Sequence, residues 1–130
     1  MDSHSTALMA AGVIGGGTAI AHGVLLRRLI IRRIDPLLVA DGAILRRLIP
    51  PLLQFTTFNW LLSSFALIAA AMWSGDEVKL AVSFFAASSF LFGALGALWG
   101  TRRPHPSWIL MTAALAMIIY GVVPAISPSS

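Results

Sequence analysis

Two histidines, His22 and His105, lie near arginine pairs, and two imidazoles at one surface can ligate a metal ion or a b-type haem. No third ligand or carboxylate accompanies them at useful spacing. The pair therefore predicts no metal and no cofactor, and imidazoles that meet lipid phosphates or carbonyls are the commoner arrangement. A second set is Thr56, Asn59 and Ser63, spaced i, i+3 and i+7, which shares one face of a helix. Such a face either hydrogen-bonds to a neighbouring helix or lines a path for an ion or substrate. It carries no ionisable group, which favours bonding between helices. No nucleophile, base and acid occur together, so the chain is not expected to be an enzyme. It contains no cysteine, which excludes disulfides, thiolate metal sites and cysteine nucleophiles.

The elements that position these residues follow from composition. Of 130 residues, 58% are hydrophobic and only 11% charged, with a mean hydropathy of +0.86. Soluble domains are about 25% charged. The charged residues leave four charge-free windows, 3–26, 48–75, 80–101 and 104–130. Each exceeds the ~20 residues that cross a bilayer core. They predict spans at about 6–26, 50–73, 79–99 and 107–123. The windows are continuously apolar, without the period-2 alternation of a membrane barrel, so the spans are helices. The expected fold is all-α: an integral membrane four-helix bundle with antiparallel up-down topology, forming one domain over 1–130. A connection at 27–49 separates the first two spans. Asp35-Pro36 is a good helix start there, and a short interfacial helix is expected before Pro50-Pro51 breaks the chain from the second span.

Orientation follows from the basic residues. Arg27, Arg28, Arg32, Arg33, Arg46 and Arg47 lie between the first two spans, and Arg102 and Arg103 between the last two. Lys79 alone falls on the other side. The positive-inside bias makes the arginine side cytoplasmic and both termini periplasmic, in a bacterial inner membrane. The same arginines are candidate contacts for anionic lipid headgroups. Nucleic-acid binding is not expected, because these charges sit within a few residues of the bilayer. The N-terminus lacks the positive region of a signal peptide.

Local signals refine the segments. Ser74 to Glu77 reads as a capping box opening the third span. Gly100 suits its end, Pro106 or Ser107 the start of the fourth span, and Pro124 its stop. In the first span Ala11, Gly15, Ala19 and Gly23 recur every four residues, and in the third Ser89, Gly93 and Ala97 do so. Small residues at this spacing let backbones approach closely, so Gly15, Ala19, Gly23, Gly93 and Ala97 are candidate packing positions. Gly12 and Gly16 fall on a neighbouring face. Trp60 is placed inside the bundle, and Trp73, Trp99 and Trp108 near span ends, where tryptophans form interfacial belts.

A histidine closing the first span (His22), a basic loop leading to a tryptophan-bearing second span (Trp60), and an Arg-x-His-Pro-x-Trp-like start to the last span (Arg103 to Trp108) carry a resemblance. On these residues the chain resembles uncharacterised small bacterial four-span inner-membrane proteins. The resemblance implies fold and location and no particular activity. The stretch Gly15 to Arg27 and the run Phe55-Thr-Thr-Phe58 are similar to the small dimeric fluoride channels. In that family, however, the threonine motif belongs to the third span, not the second. The small multidrug exporters share the size but need a first-span glutamate, which is lacking here. The expected function is that of a small integral membrane protein with a structural, accessory-subunit or lipid-interacting role. The alternative is a small oligomeric channel or transporter with a polar path along span 2. Expected partners are membrane lipids and a larger membrane complex or further copies of the chain.

Overall fold

The computed structural model describes residues 2–34, 36, 43–101 and 106–127. They contain no strand and form four long helices. Helix α1 (Ser3–Leu25) is prolonged by a π-helical segment, Leu26–Ile31, and a last turn, Arg32–Ile34. Then come α2 (Ala43–Trp73), α3 (Asp76–Thr101) and α4 (Pro106–Ile126). All four are long and apolar enough to cross a membrane. Residues 35 and 37–42, with most of the expected 27–49 connection's centre, lie outside the described residues, as do Arg102, Arg103 and His105.

Several boundaries differ from expectation for identifiable reasons. Helix α1 begins at Ser3 rather than Thr6, because Asp2 caps it. The Ser5 N–H donates to Asp2 Oδ1 at 3.1 Å, and the Thr6 N–H to the Asp2 carbonyl at 3.1 Å. The side chain supplies an acceptor to a first-turn donor that has no partner within the helix. At α3 the expected cap moves by one residue. Ser74 N–H closes the preceding helix on the Ala70 carbonyl, and the Gly75 carbonyl accepts the first α3 bond, from Lys79 N–H. Gly75 is therefore the N-cap, and Asp76 and Glu77 supply first-turn negative charge. Pro50-Pro51 does not break α2: the described residues from Ala43 run straight into the span, and the expected helix start at Asp35 lies outside the described residues. Proline's fixed φ, about −65°, is itself helical. The two rings are adjacent, so their steric cost falls on one turn near the helix start. Pro124 likewise lies inside α4, which ends at Ile126. Helix α3 runs past Gly100 to Thr101.

The hydrogen bonds at Asp2 hold its carboxyl below the usual carboxylate range, chiefly through Ser5, with Lys79 adding attraction. A lowered folded-state pKa stabilises the fold at neutral pH, and this contribution is lost as pH falls through the folded value. Thermal melts below about pH 4 should therefore separate the native chain from Asp2→Asn. Asparagine keeps the cap without titrating, so the variant's melting temperature should fall less on acidification.

Each helix packs on two others: α1 on α2 and α4, and α3 on α2 and α4. Every helix sends a large apolar side chain to the centre: Leu8, Leu67, Phe90, and Met111 with Ile118. Contacts fix which ends meet. The start of α1 lies beside the end of α4. There His4 stacks on Tyr120 at 4.7 Å, its Nδ1–H donates to the Tyr120 carbonyl at 2.9 Å, and Tyr120 donates to Ser3 Oγ at 3.4 Å. Lys79 Nζ, near the start of α3, donates to Ser5 Oγ at 3.1 Å. The end of α1 meets the start of α2 at Gly23 and Gln54, whose Nε2 donates to the Gly23 carbonyl at 3.2 Å.

The glycines show how close the backbones come. A Cβ at Gly12 would lie 2.7 Å from Ile68 and 2.9 Å from the Ser64 carbonyl. One at Gly15 would strike the Phe90 ring and, at 2.8 Å, Ser64 Oγ. Gly12 is thus part of the same contact surface as Gly15 rather than of a neighbouring face. The face is wide because α1 touches both α2 and the Phe90 side chain of α3. Gly17 and Gly96 face open space.

Candidate functional site at the arginine-rich end

Near the end of α1, three features converge. A Cβ on Gly23 would lie 2.7 Å from Thr57 Cγ2, so α1 and α2 are in backbone-level contact there. One helical turn along, the Trp60 indole fills the space that a Cβ on Gly93 would need, bringing α3 against α2. The His22 ring tilts against the same indole, with centroids 4.9 Å apart and planes at 48°. Trp60 is only 4% exposed. Glycine at 93 is what allows so large a side chain to lie between α2 and α3.

Beyond Trp60 the four helices leave a cavity of about 360 Å³. Trp60 and Gly93 border it, and His22 and Leu26 of α1 form one wall. Leu52, Leu53 and Thr56 of α2 form a second, and Phe92, Gly96 and Ala97 of α3 a third. Ser107, in the first turn of α4, completes it. First-turn N–H groups lack intrahelical partners and favour negative charge. The π-helical segment starts at the cavity wall, with Leu26. Such segments are rare and recur at functional sites, because they turn side chains out of the ordinary helical register.

Among the described residues the surrounding charge is of one sign. Arg27, Arg28, Arg32, Arg33, Arg46 and Arg47 are all exposed at this end of α1 and α2. Asp35 and Asp41, the acids of this stretch of sequence, lie outside the described residues. Among the described residues no group of three or more His, Cys, Asp or Glu side chains comes together.

The residues singled out by spacing do not all meet here. Thr56 lines the cavity, but Asn59 Nδ2 donates to Ser89 Oγ of α3, so it is engaged between helices. Ser63, half-buried, does not line the cavity. Gly15 and Ala19 are buried further along α1, Gly23 of α1 packs against Thr57 of α2, and Ala97 borders the cavity. Ser64 donates to the Trp60 carbonyl at 2.7 Å. The Thr57 hydroxyl, packed at Gly23, is buried without a hydrogen-bond partner, as is that of Ser83. Sequence reasoning gave no site role to Phe92, Gly96 or Ser107, and missed the pairing of His22 with Trp60. The weak signal was that His22, Trp60 and Gly93 each lie about one turn or more inside the basic end of a span. Comparison of the chain with protein-family models, with curated proteins and with solved structures finds no match.

Proposed function

We infer that this chain is an integral membrane protein whose four helices cross the bilayer as an antiparallel up-down bundle. Its arginine-rich end is cytoplasmic and both termini are periplasmic. Its role is structural and lipid-interacting, as a small subunit or assembly partner rather than a catalyst. The observation that carries this reading is how the polar side chains of α2 are used. Gln54 bonds across to the Gly23 carbonyl of α1 and Asn59 to Ser89 of α3, while Ser64 bonds within α2 to the Trp60 carbonyl. Each bond between helices contributes roughly 0.6–2 kcal/mol in a membrane. Side chains used for packing do not form a continuous path, and the bundle centre is filled by Leu8, Leu67, Phe90 and Met111. This favours the packing role over conduction along Thr56, Asn59 and Ser63.

The decisive experiment is extraction from native membrane with the surrounding lipid retained. Co-purification with a larger complex, or a retained lipid shell of defined composition, supports the reading. A homo-oligomer that conducts ions in liposomes overturns it. Orientation has its own test, made clean by the absence of cysteine. Single cysteines replacing Ser3 and Gly75 should react with an impermeant thiol reagent on intact cells, and one replacing Thr101 should not. Labelling of the Thr101 position alone would invert the topology.

A further inference from the structure

We propose that the cavity beneath Trp60 is a binding site for one anionic phospholipid of the arginine-side leaflet, with an acyl chain inserted against Trp60 and the phosphate held at the arginine rim. This rests on the membrane reading above. Three observations select the occupant.

The first is size and lining. About 360 Å³ lies at the small end of ligand sites. Leu26, Leu52 and Phe92 make its walls apolar. An inorganic anion there would lose its hydration to hydrocarbon, which is strongly unfavourable. A chain of methylenes would not.

The second is the opening. Leu52 and Phe92 line the cavity yet are 68% and 78% exposed on the outer surface. Gly96 between them presents no side chain. The cavity therefore opens sideways between α2 and α3, toward the lipid, and a tail can enter without crossing a polar barrier.

The third is charge. Leu26 on the wall is followed directly by the exposed Arg27 and Arg28, and Leu52 lies shortly after Arg46 and Arg47. The first turn of α4 at Ser107 adds a partial positive charge on the same side. An apolar tail beneath a cationic rim describes an anionic lipid, not a neutral one.

The test uses fluorescence quenching by lipids brominated on the acyl chain. Trp73, Trp99 and Trp108 are replaced by phenylalanine in the full chain, leaving Trp60 as the reporter. The protein is placed in vesicles of phosphatidylcholine doped with brominated phosphatidylglycerol or brominated phosphatidylcholine. Brominated phosphatidylglycerol should quench Trp60 at much lower content, with a preference of about thirtyfold for two headgroup arginines. Arg27→Gln with Arg28→Gln should bring the two lipids to equal quenching. Gly96→Phe should abolish quenching by both. It should still fold, because nothing lies within 4 Å of its Cβ position. Unchanged far-ultraviolet circular dichroism checks this.

Equal quenching by both lipids in the native rim overturns the proposal, and so does none by either. Loss of the preference on adding inorganic phosphate also overturns it, by showing a free-anion site. A second reporter separates this failure from failure of the membrane reading. Phe65→Trp in a chain whose four native tryptophans, Trp60 included, are phenylalanine, and whose far-ultraviolet circular dichroism is unchanged, places an indole at a 70% exposed position on α2. If that reporter is quenched and Trp60 is not, the chain is in the bilayer and only the lipid site fails. If neither is quenched, the membrane reading fails as well.

Discussion

Gly15→Leu should lower the stability of the bundle by about 3 kcal/mol, the upper part of the usual range for overpacking, while Gly17→Leu does not lower it. Position 15 is buried, and its missing Cβ is already replaced by the Phe90 ring and Ser64 Oγ. Phe90 is itself 0% exposed, so it cannot swing out of the way without opening the core. Leucine would therefore push α1 away from α2 and α3 together. Position 17 sits on the same helix with nothing within 4 Å, so helix propensity and span hydrophobicity change alike in both variants. Thermal or denaturant melts in detergent, followed by circular dichroism, compare the two directly. Equal stability of both variants would mean that the α1 glycines do not form the contact surface.

Trp60→Ala should be similarly damaging, by about 3–5 kcal/mol, the usual cost of emptying a buried aromatic site. Gly93→Leu should also destabilise, because the indole occupies the place of its side chain. Combined, the two should cost much less than their sum. The leucine enters the space that the indole vacates, with a coupling energy of about 0.5–3 kcal/mol for residues in contact. Four melting curves measure this cycle. Strict additivity would show that Trp60 and Gly93 do not touch.

The positions of the helices were legible because charge and hydropathy are one-dimensional signals. A charged residue in the wrong window is costly whatever the fold, so Arg27, Arg46, Asp76 and Arg102 mark where apolar runs must stop. Boundaries set by single hydrogen bonds were less legible. Ser74 and Gly75 are both acceptable caps, and only the geometry of the turn after Trp73 decides between them. Proline rules misled at Pro50, because they describe average cost and α2 is long enough to absorb it. The candidate site was hidden for a different reason. Spacing singles out Gly15 and Gly93, but it does not name Phe90 and Trp60 as the side chains they face. Those partners lie on other helices, and their register depends on how every helix is rotated. A cavity belongs to all four helices at once, so no single segment carries its signature.

The π-helical segment at the end of α1 has a consequence for insertions and deletions. A π turn holds about one residue more than an α turn, so one residue removed from Leu26–Ile31 would let the helix wind regularly and leave Arg32 and Arg33 on nearly their present bearing. The same deletion in the regular part of α1 would turn everything beyond it by about 100°. In both cases the hydropathy profile, the charge count and the span length would scarcely change. The segment is thus the place in this helix where a residue can be lost without a change of direction, and a comparison of sequences by residue type alone would pass over the difference.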